Sequence, residues 1–573
     1  MQTVKPKTVP KHLRQYTVNQ NYENYTPINH AVWRYIMRQN HNLLKDRAHE
    51  AYTDGLKASA ISIDHIPNVD EMNESLAPFG WGAATIDGFI PGVAFFEFQA
   101  QGILPVVDEI RQLDNILYTP APDIVHEAAG HAPILADPEY SAFVKRFGEI
   151  GMKALATKEE HDHFEAVRHY SNLLEKGNAT EEEIAAAKQQ VDECEAKITE
   201  LSEAQIVGRF FWWTVEFGLI GSLDDPKIYG AGLLSSVGEG ANALSDDVEK
   251  IPFDKDKVIE TDFDITKPQP HLFVCKSFQQ LLDAAEELAE SMAFMQGGTE
   301  SLDKAVKSGH TATAVLSSGL QITGTISELL KDDNEEAILI KTDGETALAF
   351  EGEQLQGHGT ERHQHGFQAP IGHVTNIDKP IEDMTDNELS NHQLEIGECL
   401  SLTYDNGLQV NGEITAIEKR NEKVILITLT NGSVSRGQDP LITFKEEPFD
   451  LAIGTSVSSV FAGAADGENF HTVIEQDDER ELESADDPLN DVYARIRNIR
   501  EHGPSVEAIA DSHSELNENH TNDWLSRLEL FEMLHEIAPD APLTATILEE
   551  LRQLQTLSDD YHTLIERGLS ILD

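Results

Sequence analysis

The spacing of apolar residues predicts three regions of different secondary structure along the chain. From about residue 25 to 293, apolar and aromatic positions recur at helical intervals, beginning near Trp33. The segment 211–219 is apolar almost all round, which is typical of a buried helix. After about Gly297 the pattern changes to short β-type runs separated by Gly, Asp and Asn turns, and helical spacing returns from about residue 487.

A charged, alanine-rich segment, residues 157–205, interrupts the first helical region. Gly177 and Asn178 mark a turn within it, and Thr180 followed by Glu183 has the pattern of an N-terminal capping box. We interpret the segment as a solvent-exposed helical hairpin with a structural rather than a chemical role.

The β-type region contains an internal repeat. Residues 319–326 (GLQITGTI) return 88 positions later as residues 407–414 (GLQVNGEI), and the register holds without gaps to 342–344 against 430–432. Each copy predicts a strand, a Gly turn, a second strand, a charged turn and an apolar strand. The repeat therefore predicts two small β-rich modules, packed together, within residues 305–450.

Three histidines lie in the segment between the two repeats. His358, His363 and His365 stand among polar residues and glycines within residues 357–366. A metal site is the less favoured interpretation, because no carboxylate or cysteine stands at helical or strand spacing to complete a ligand set. We interpret the segment as a polar loop.

The last part of the chain, residues 487–573, carries amphipathic stripes and is predicted to be helical. The acidic stretch before it, residues 475–487, is interpreted as a linker. Such stripes are more typical of a core or an interface than of a cofactor site. Their members are Val492, Tyr493, Ile496 and Ile499; Trp524, Leu525, Leu528, Phe531, Met533, Leu534 and Ile537; and Leu548, Leu551 and Leu554.

Composition limits the classes of function. With 573 residues the chain is longer than one domain. Its formal net charge of −58 argues against nucleic acid as the main partner and against an anionic membrane surface, since both attract clustered Lys and Arg. Only three cysteines occur, without CxxC pairing, and no stretch reaches the roughly 20 apolar residues of a membrane helix. We therefore expect a soluble, cytoplasmic protein in a reducing compartment.

Two histidines and one carboxylate are the candidate chemistry of the first helical region. His126 and His131 lie in the sequence DIVHEAAGH, and Glu216 follows in the aromatic sequence FWWTVEFG. Two neutral imidazoles and one carboxylate form a three-ligand face with open coordination positions. Such a face suits non-heme Fe(II) and its oxygen chemistry.

The separation of the two histidines distinguishes them from a zinc-protease helix, where the histidines stand at i and i+4. On a regular α-helix, residues i and i+5 diverge by roughly 140°. Both imidazoles then reach one metal only if the backbone changes direction between them, which Gly130 and Pro133 would permit. We therefore expect His131 to lie just past the end of a short helix that contains His126.

Four motifs together resemble the pterin-dependent aromatic amino acid hydroxylases. They are YTPAPD (118–123), the His126/His131 pair, residues 212–218, and YGAGLLSSVGE (229–239), in the family's order and spacing apart from the helical insert. The resemblance covers about half the chain and implies a mainly α, hydroxylase-like catalytic domain over residues 20–296. By the patterns above, a small β-repeat region and a C-terminal helical region follow this domain.

The resemblance implies Fe(II) bound by His126, His131 and Glu216, together with a tetrahydropterin co-substrate. No Rossmann fingerprint occurs in the sequence, in agreement with a reductant that is not a nicotinamide. By the same resemblance, Glu127 acts in catalysis by contacting the pterin or iron-bound water. The alternative for Glu127 is a solvated or salt-bridged acid.

The resemblance also implies a substrate pocket and a pterin pocket. Arg111 resembles the family's arginine for the amino acid carboxylate, where a bidentate guanidinium fits. The alternative is a surface residue beside Asp114. The other residues are Thr119 and Ser235, which would assist Arg111; Tyr118, Pro122 and Trp212, as pocket walls or plain core; and Phe89 and Gly82, in the pterin pocket.

The implied reaction is ring hydroxylation of an aromatic amino acid by O2. The chain resembles compact bacterial members, which usually act on phenylalanine, so we expect L-phenylalanine to be converted to L-tyrosine, in phenylalanine catabolism or tyrosine supply. The alternatives are a tryptophan or tyrosine hydroxylase, or a non-catalytic regulatory protein that binds an amino acid or pterin. Expected partners are pterin-recycling enzymes and, through the C-terminal half, a second copy of the chain.

Overall fold

The computed structural model describes residues 5–86, 88, 90–117, 123–175, 179–263, 268–471 and 488–572. Four predicted site residues, Phe89, Tyr118, Thr119 and Pro122, lie outside the described residues. The predicted turn at residues 177–178 and the predicted linker at 475–487 also lie outside them.

The first region is mainly helical, as predicted, and its helices begin at residues that cap them. The Thr26 side chain accepts a hydrogen bond from Asn29 N, and Asp137 accepts from Glu139 N and Tyr140 N. The helices are α1 (Pro27–Leu44), α2 (Ala51–Ala58), α3 (Val69–Leu76), α4 (Gly92–Ala100), α5 (Ala132–Ile134), α6 (Pro138–Gly151), α7 (Lys158–Glu175), α8 (Glu181–Glu195), α9 (Glu203–Phe211), α10 (Ala231–Ser235), α11 (Val237–Ala243), α12 (Lys255–Glu260), α13 (Phe278–Glu290), α14 (Ala293–Gln296) and α15 (Gly298–Ser308).

Six short strands accompany these helices in two small sheets. Strands β1 (Gly82–Ile86) and β2 (Ile103–Val107) pair in parallel. The second sheet has the order β4-β3-β6-β5. Its strands are β3 (Leu219–Gly221), β4 (Pro226–Ile228), β5 (Glu249–Pro252) and β6 (His271–Cys275).

The charged insert forms two helices, α7 and α8, which pack against each other. The predicted capping box at the start of α8 is present. Thr180 accepts a hydrogen bond from Glu183 N, and the Glu183 carboxylate accepts one from Thr180 N. Local sequence therefore sets where this helix begins.

The middle of the chain is rich in strands, as predicted. The strands are β7 (Thr311–Leu316), β8 (Leu320–Lys331), β9 (Ala337–Phe350), β10 (Glu353–Gln354), β11 (Gln368–Pro370), β12 (Cys399–Thr403), β13 (Leu408–Arg420), β14 (Lys423–Arg436), β15 (Asp439–Phe444), β16 (Phe449–Ala452) and β17 (Val457–Ala462). Two short helices, α16 (Asp386–Asn391) and α17 (Gly467–Phe470), also belong to this region.

These strands form two antiparallel sheets. The first has the order β10-β9-β8-β7-β17 with β11 paired to β9, and the second has the order β12-β13-β14-β15 with β16 paired to β14. The sheets pack together, because Leu426 of β14 and Ala452 of β16 are buried in the core of the first, and Leu339 of β9 in that of the second. Strand β17 closes the first sheet from beyond residue 450, where the sequence pattern ended this region.

The last part of the chain is helical, as predicted. Its helices are α18 (Pro488–His502), α19 (Val506–Asn519), α20 (Trp524–Ile537), α21 (Pro542–Leu554) and α22 (Asp559–Ser570). None of the described helices is long and apolar enough to cross a membrane.

The C-terminal helices share one apolar core with the first region, because both contribute to a single cluster of buried side chains. The Tyr35 ring meets Trp524 edge-on at 5.2 Å, and Tyr35 Oη donates to the Leu564 carbonyl at 2.7 Å. Beside it, Arg34 Nε donates to Glu529 Oε1 at 2.6 Å and Arg34 Nη2 to Glu529 Oε2 at 3.1 Å. The apolar residues of the C-terminal helices therefore pack against α1 as well as against one another.

His30, buried on α1, makes the folded state sensitive to acid. Its Nδ1 accepts a hydrogen bond from Ile66 N at 3.2 Å, and burial, with the nearby Arg497 and Arg34, lowers its pKa to about 3. Below about pH 6.5 the unfolded chain binds a proton that the folded chain refuses, so stability falls as pH falls from about 6.5 towards 3. We expect this group to contribute a loss of about 1.4 kcal/mol per pH unit there.

Denaturant unfolding at a series of pH values tests this expectation. The variant His30→Asn offers an acceptor but does not titrate, so its stability should fall less steeply between pH 6 and pH 4. The exposed His169 provides a matched control, and His169→Asn should keep the wild-type slope. Equal slopes for wild type and His30→Asn would contradict the assignment.

Candidate functional site

His126 and His131 lie on one turn of π-helix, His126–His131, rather than on either side of a helix end. Ala132 N donates to the Glu127 carbonyl, five residues back, and in this pattern residues five apart stack on the same face. Val125 before the turn and Ala132 after it both have right-handed helical backbone, and the helix continues into α5. The expectation that His131 lies past the end of the helix was wrong, because wider winding brings the two imidazoles together without a bend.

Gly130 serves a close contact rather than a change of direction. A Cβ atom at Gly130 would stand 2.5 Å from the Ala231 carbonyl oxygen, at the start of α10. Its absence lets α10 pack directly on the π-helical turn. This contact brings Ser235, at the end of α10, next to His126.

A second π-helical segment, Trp212–Glu216, carries the carboxylate. Phe217 N donates to the Trp212 carbonyl at 2.9 Å, again five residues back. Glu216 Oε2 lies 3.2 Å from His126 Nε2, and Glu216 Oε1 lies 3.2 Å from His131 Nε2. The two Nε2 atoms are themselves 3.2 Å apart. The three predicted ligand residues thus converge on one point, with an arrangement that could hold a metal ion.

Ser235 fixes which nitrogen of His126 faces this point. The Ser235 hydroxyl donates to the Ala231 carbonyl at 2.7 Å, so it accepts from His126 Nδ1, which lies 3.1 Å away. The proton of a neutral His126 then resides on Nδ1, and the lone pair of Nε2 is directed at Glu216 and His131. The structure therefore places Ser235 against His126, a contact that the sequence did not predict.

The charges of the cluster favour a bound cation. Burial raises the pKa of Glu216, but His126 and His131 outweigh it and hold that pKa well below its usual range. Burial lowers the pKa of His126, but the Glu216 carboxylate outweighs it and raises the pKa to about 9. An ionised, buried carboxylate facing two imidazoles is thus neutralised either by a proton or by a metal ion.

Glu127 lies beside the cluster with one oxygen unsatisfied. Among the described residues, no hydrogen-bond partner reaches its buried Oε2. Burial raises its pKa to about 8, although the charge of His126 opposes the shift. Glu127 is therefore not a solvated acid, and within the part of the chain that the structure describes its Oε2 is available to a ligand.

Only 9% of the Arg111 side chain is exposed, so Arg111 is not a surface residue beside Asp114. Its Nε and Nη2 donate to the two carboxylate oxygens of Asp123 at 2.7 and 2.8 Å. Asp123 closes the YTPAPD motif, yet the sequence did not suggest that it positions Arg111.

Arg111 and Ser235 line one pocket, and part of its wall comes from the C-terminal helices. Tyr35 and Ile36 of α1 contribute to it, as do two residues of α22, Leu564 and Arg567. No local sequence signal marks Leu564 and Arg567, because they are more than 300 residues away along the chain from the other lining residues. The remaining lining residues are Ile116, Leu117, Ser236 and Gly238.

Two predicted site residues lie away from this pocket. Trp212 is sandwiched between Phe217 and Phe263, with ring centroids 4.5 and 4.4 Å away, and does not line the pocket around Arg111. Gly82 opens strand β1, where a Cβ atom would stand 2.4 Å from the Asn73 side chain. The structure shows a packing reason for this glycine.

The first half of the chain is similar in sequence to one known protein family. The model of one family, described as biopterin-dependent aromatic amino acid hydroxylase, matches residues 11–188 and 179–297, about half of the chain. Phenylalanine-4-hydroxylase of Ralstonia nicotianae is 29% identical over 271 residues, which is 47% of this chain and 72% of the relative. Phenylalanine-4-hydroxylase of Pseudomonas aeruginosa is 29% identical over 278 residues, 48% of this chain and 89% of the relative.

Solved structures of a bacterial phenylalanine hydroxylase, from Chromobacterium violaceum, also match. The form with bound oxidised Fe(III) is 26% identical, with a TM-score of 0.38, over 48% of this chain and 86% of that chain. The form with iron(III) and 7,8-dihydrobiopterin is 27% identical, with a TM-score of 0.39 and the same coverage.

Proposed function

The chain belongs to the biopterin-dependent aromatic amino acid hydroxylases, and we propose that it is a phenylalanine 4-monooxygenase. It would hydroxylate the ring of L-phenylalanine to give L-tyrosine, with O2 and a reduced pterin as co-substrates. The convergence of His126, His131 and Glu216 at 3.2 Å carries the proposal. Two imidazoles and one carboxylate form the facial set that suits non-heme iron.

His126, His131 and Glu216 would hold Fe(II), which when bound supplies the site where O2 is activated. Ser235 would keep His126 in the tautomer whose Nε2 can donate a lone pair to the metal. His131 and Glu216 are buried, with side chains 7% and 10% exposed, which would limit the access of competing water to the ion.

Arg111 would bind the carboxylate of the amino acid. Asp123 holds the guanidinium through Nε and Nη2, and Nη1 makes only a long hydrogen bond, 3.5 Å, to the Ile116 carbonyl. Nη1 is therefore the donor that a substrate carboxylate would engage. Arg111 and Ser235 line the same pocket, so a bound amino acid would lie next to the imidazole of His126. In this position the substrate ring would lie near the cluster of His126, His131 and Glu216.

Glu127 would contact the pterin. Its buried Oε2 has no partner among the described residues, which supports a polar ligand at this position. With its pKa raised to about 8, the carboxyl group can donate as well as accept a hydrogen bond near neutral pH. Gly82 and Phe89 remain predicted pterin residues, and Thr119, Tyr118, Pro122 and Trp212 remain predicted substrate residues.

Phenylalanine is the proposed substrate because the named bacterial relatives are phenylalanine-4-hydroxylases. Product analysis of the iron-loaded full-length protein with each aromatic amino acid, under saturating tetrahydropterin, tests the choice. We expect tyrosine from phenylalanine, with kcat/KM at least about 10-fold above that for tryptophan or tyrosine. If tryptophan or tyrosine were turned over faster, the proposed substrate would be wrong, but the proposal that the protein is an aromatic amino acid hydroxylase would stand.

A protein without turnover would contradict the enzyme proposal itself and favour the regulatory alternative. Iron analysis of the same sample distinguishes inactive protein from unloaded protein. We expect one iron ion per chain in the active preparation, held by the cluster of His126, His131 and Glu216.

We interpret the chain as a hydroxylase domain (20–296), two β-rich repeat modules (305–450) and a C-terminal helical region (487–573). The paired sheets and the equivalent positions of β8 and β13 in the two repeats support the middle assignment. A cytoplasmic location, pterin-recycling partners and assembly of two copies through the C-terminal half remain predictions.

A further inference from the structure

We propose that His358, His363 and Asp450 form a second metal site, which binds a divalent transition-metal ion such as Zn²⁺. The site belongs to the strand-rich region, where the two sheets meet, and shares no residue with the cluster of His126, His131 and Glu216. It therefore stands independently of the proposed hydroxylase function.

The backbone fixes both sides of this site. The loop that carries the histidines is anchored on β9, where Thr346 N donates to the His363 carbonyl at 3.1 Å. Asp450 lies on β16, opposite Thr428 of β14. Residues 357–366 form a loop, as predicted from the sequence. Local spacing showed no carboxylate beside the histidines, but sheet pairing brings Asp450 to them from far along the chain.

The three ligand atoms are spaced for a metal ion. His358 Nδ1 lies 3.4 Å from His363 Nε2, and Asp450 Oδ2 lies 3.8 Å from the first and 3.9 Å from the second. A circle through these three atoms has a radius of about 2.1 Å, the usual distance from zinc to an imidazole nitrogen or carboxylate oxygen. An ion thus fits between them with little movement of any side chain.

The three candidate ligand groups are shielded from solvent. The side chains of His358, His363 and Asp450 are 12%, 8% and 3% exposed.

A second layer of contacts orients these groups. Arg362 Nε donates to Asp450 Oδ2 at 2.7 Å, and Thr428 Oγ1 donates to Asp450 Oδ1 at 2.8 Å. His358 Nε2 faces Glu418 Oε2 at 3.7 Å, on the side of the ring away from His363. A carboxylate behind a ligating imidazole and hydrogen bonds to a ligating carboxylate are the usual supports of a protein metal site.

Solvent reaches the site through an open cleft. Arg362, His363 and Asp450 line this cleft, whose volume is ≈ 780 Å³, together with Glu447 and Asn469. Three protein ligands leave at least one coordination position free. A bound ion would exchange with solvent through the cleft and would tie the loop after β10 to β16 of the second sheet.

Metal stoichiometry of the full-length protein tests the proposal, with Zn²⁺ alone as the added probe. After loading with iron and then zinc and removal of free metal, total iron plus zinc should reach two ions per chain. His363→Ala should bind one ion fewer, or bind the second zinc at least about 100-fold more weakly. His365→Ala removes an exposed histidine of the same loop and should match the wild type.

An unchanged zinc stoichiometry in His363→Ala, or an iron-loaded wild type that binds no zinc, would overturn the proposal. A wild type that binds one zinc ion but no iron would contradict the iron site instead. Because His363→Ala could destabilise the loop, the wild-type protein supplies an independent measurement. Crystals soaked in Zn²⁺ should show an anomalous peak between His358, His363 and Asp450. Loss of zinc-dependent thermal stabilisation in His358→Gln, with His365→Ala unaffected, would support the same site.

Discussion

Replacement of His131 by alanine is expected to abolish iron binding and to lower hydroxylation at least about 10³-fold, a loss of about 4 kcal/mol in transition-state stabilisation. The substitution removes one of three groups that meet at 3.2 Å. Glu216 would then face His126 alone, and two protein ligands do not hold Fe(II) against water. Iron content and tyrosine formation from phenylalanine, measured on the same preparation, check the result.

Two further variants separate a metal effect from a general loss of structure. His169→Ala removes an exposed histidine of α7 and should keep both iron and activity. Ser235→Ala keeps all three ligands but releases the Nδ1 proton of His126, so iron affinity should fall about 10- to 100-fold. A folded His131→Ala protein that retains iron and turnover would contradict the assignment of the site.

The second large effect concerns the ion pair between α1 and α20. We expect Glu529→Ala to lower the free energy of unfolding by about 3–5 kcal/mol, because it leaves Arg34 buried and unpaired. The Arg34 and Glu529 side chains are 2% and 4% exposed, so water cannot replace the lost carboxylate. Urea unfolding of the full-length protein measures the change.

Glu286→Ala is a matched control. It also removes a carboxylate that pairs with an arginine, Arg146, but their side chains are 48% and 32% exposed, so the expected cost is below about 1 kcal/mol. The double variant Arg34→Met/Glu529→Leu should recover most of the stability lost in Glu529→Ala. Equal costs for the buried and the exposed carboxylate would contradict the shared core between the two regions.

The same core predicts the behaviour of fragments. A chain that ends near residue 296 would expose the face of α1 that meets Trp524 and would leave Arg34 without its carboxylate. Such a fragment is expected to aggregate or to unfold at lower temperature than the full chain.

Sequence patterns predicted the chemistry of the first region better than its backbone. His126, His131 and Glu216 could be selected because residue type and spacing reflect ligand chemistry directly. The π-helical turn that joins the two histidines could not be predicted in this way. The spacing of apolar residues does not show whether a carbonyl accepts a hydrogen bond from the residue four or five positions later. The i to i+5 spacing correctly indicated that the two histidines do not lie on a regular α-helix. From the sequence alone, however, a bend in the backbone and a π-helical turn explain this spacing equally well.

Contacts between segments that are distant in the sequence were the second feature that sequence patterns did not predict. The stripe around Trp524 is buried as predicted, except for Ile537, which is 39% exposed at the end of α20. A stripe of apolar residues also does not indicate which surface covers it. The loop histidines illustrate the same point, because their carboxylate neighbour depends on which strand pairs with β14. Strand register over such separations is a property of the folded sheet, not of local spacing.

Because α22 forms part of the wall of the pocket around Arg111, the substrate preference of the relatives does not transfer directly to this chain. The family match ends at residue 297, whereas Leu564 and Arg567 stand beside Arg111 and Ser235. If Arg111 and Ser235 bind the substrate as proposed, selection for a different amino acid can act on α22 without any change in His126, His131 or Glu216. Two chains with the same hydroxylase half and different tails would then differ in substrate preference, and a search confined to the shared half would score them as equivalent.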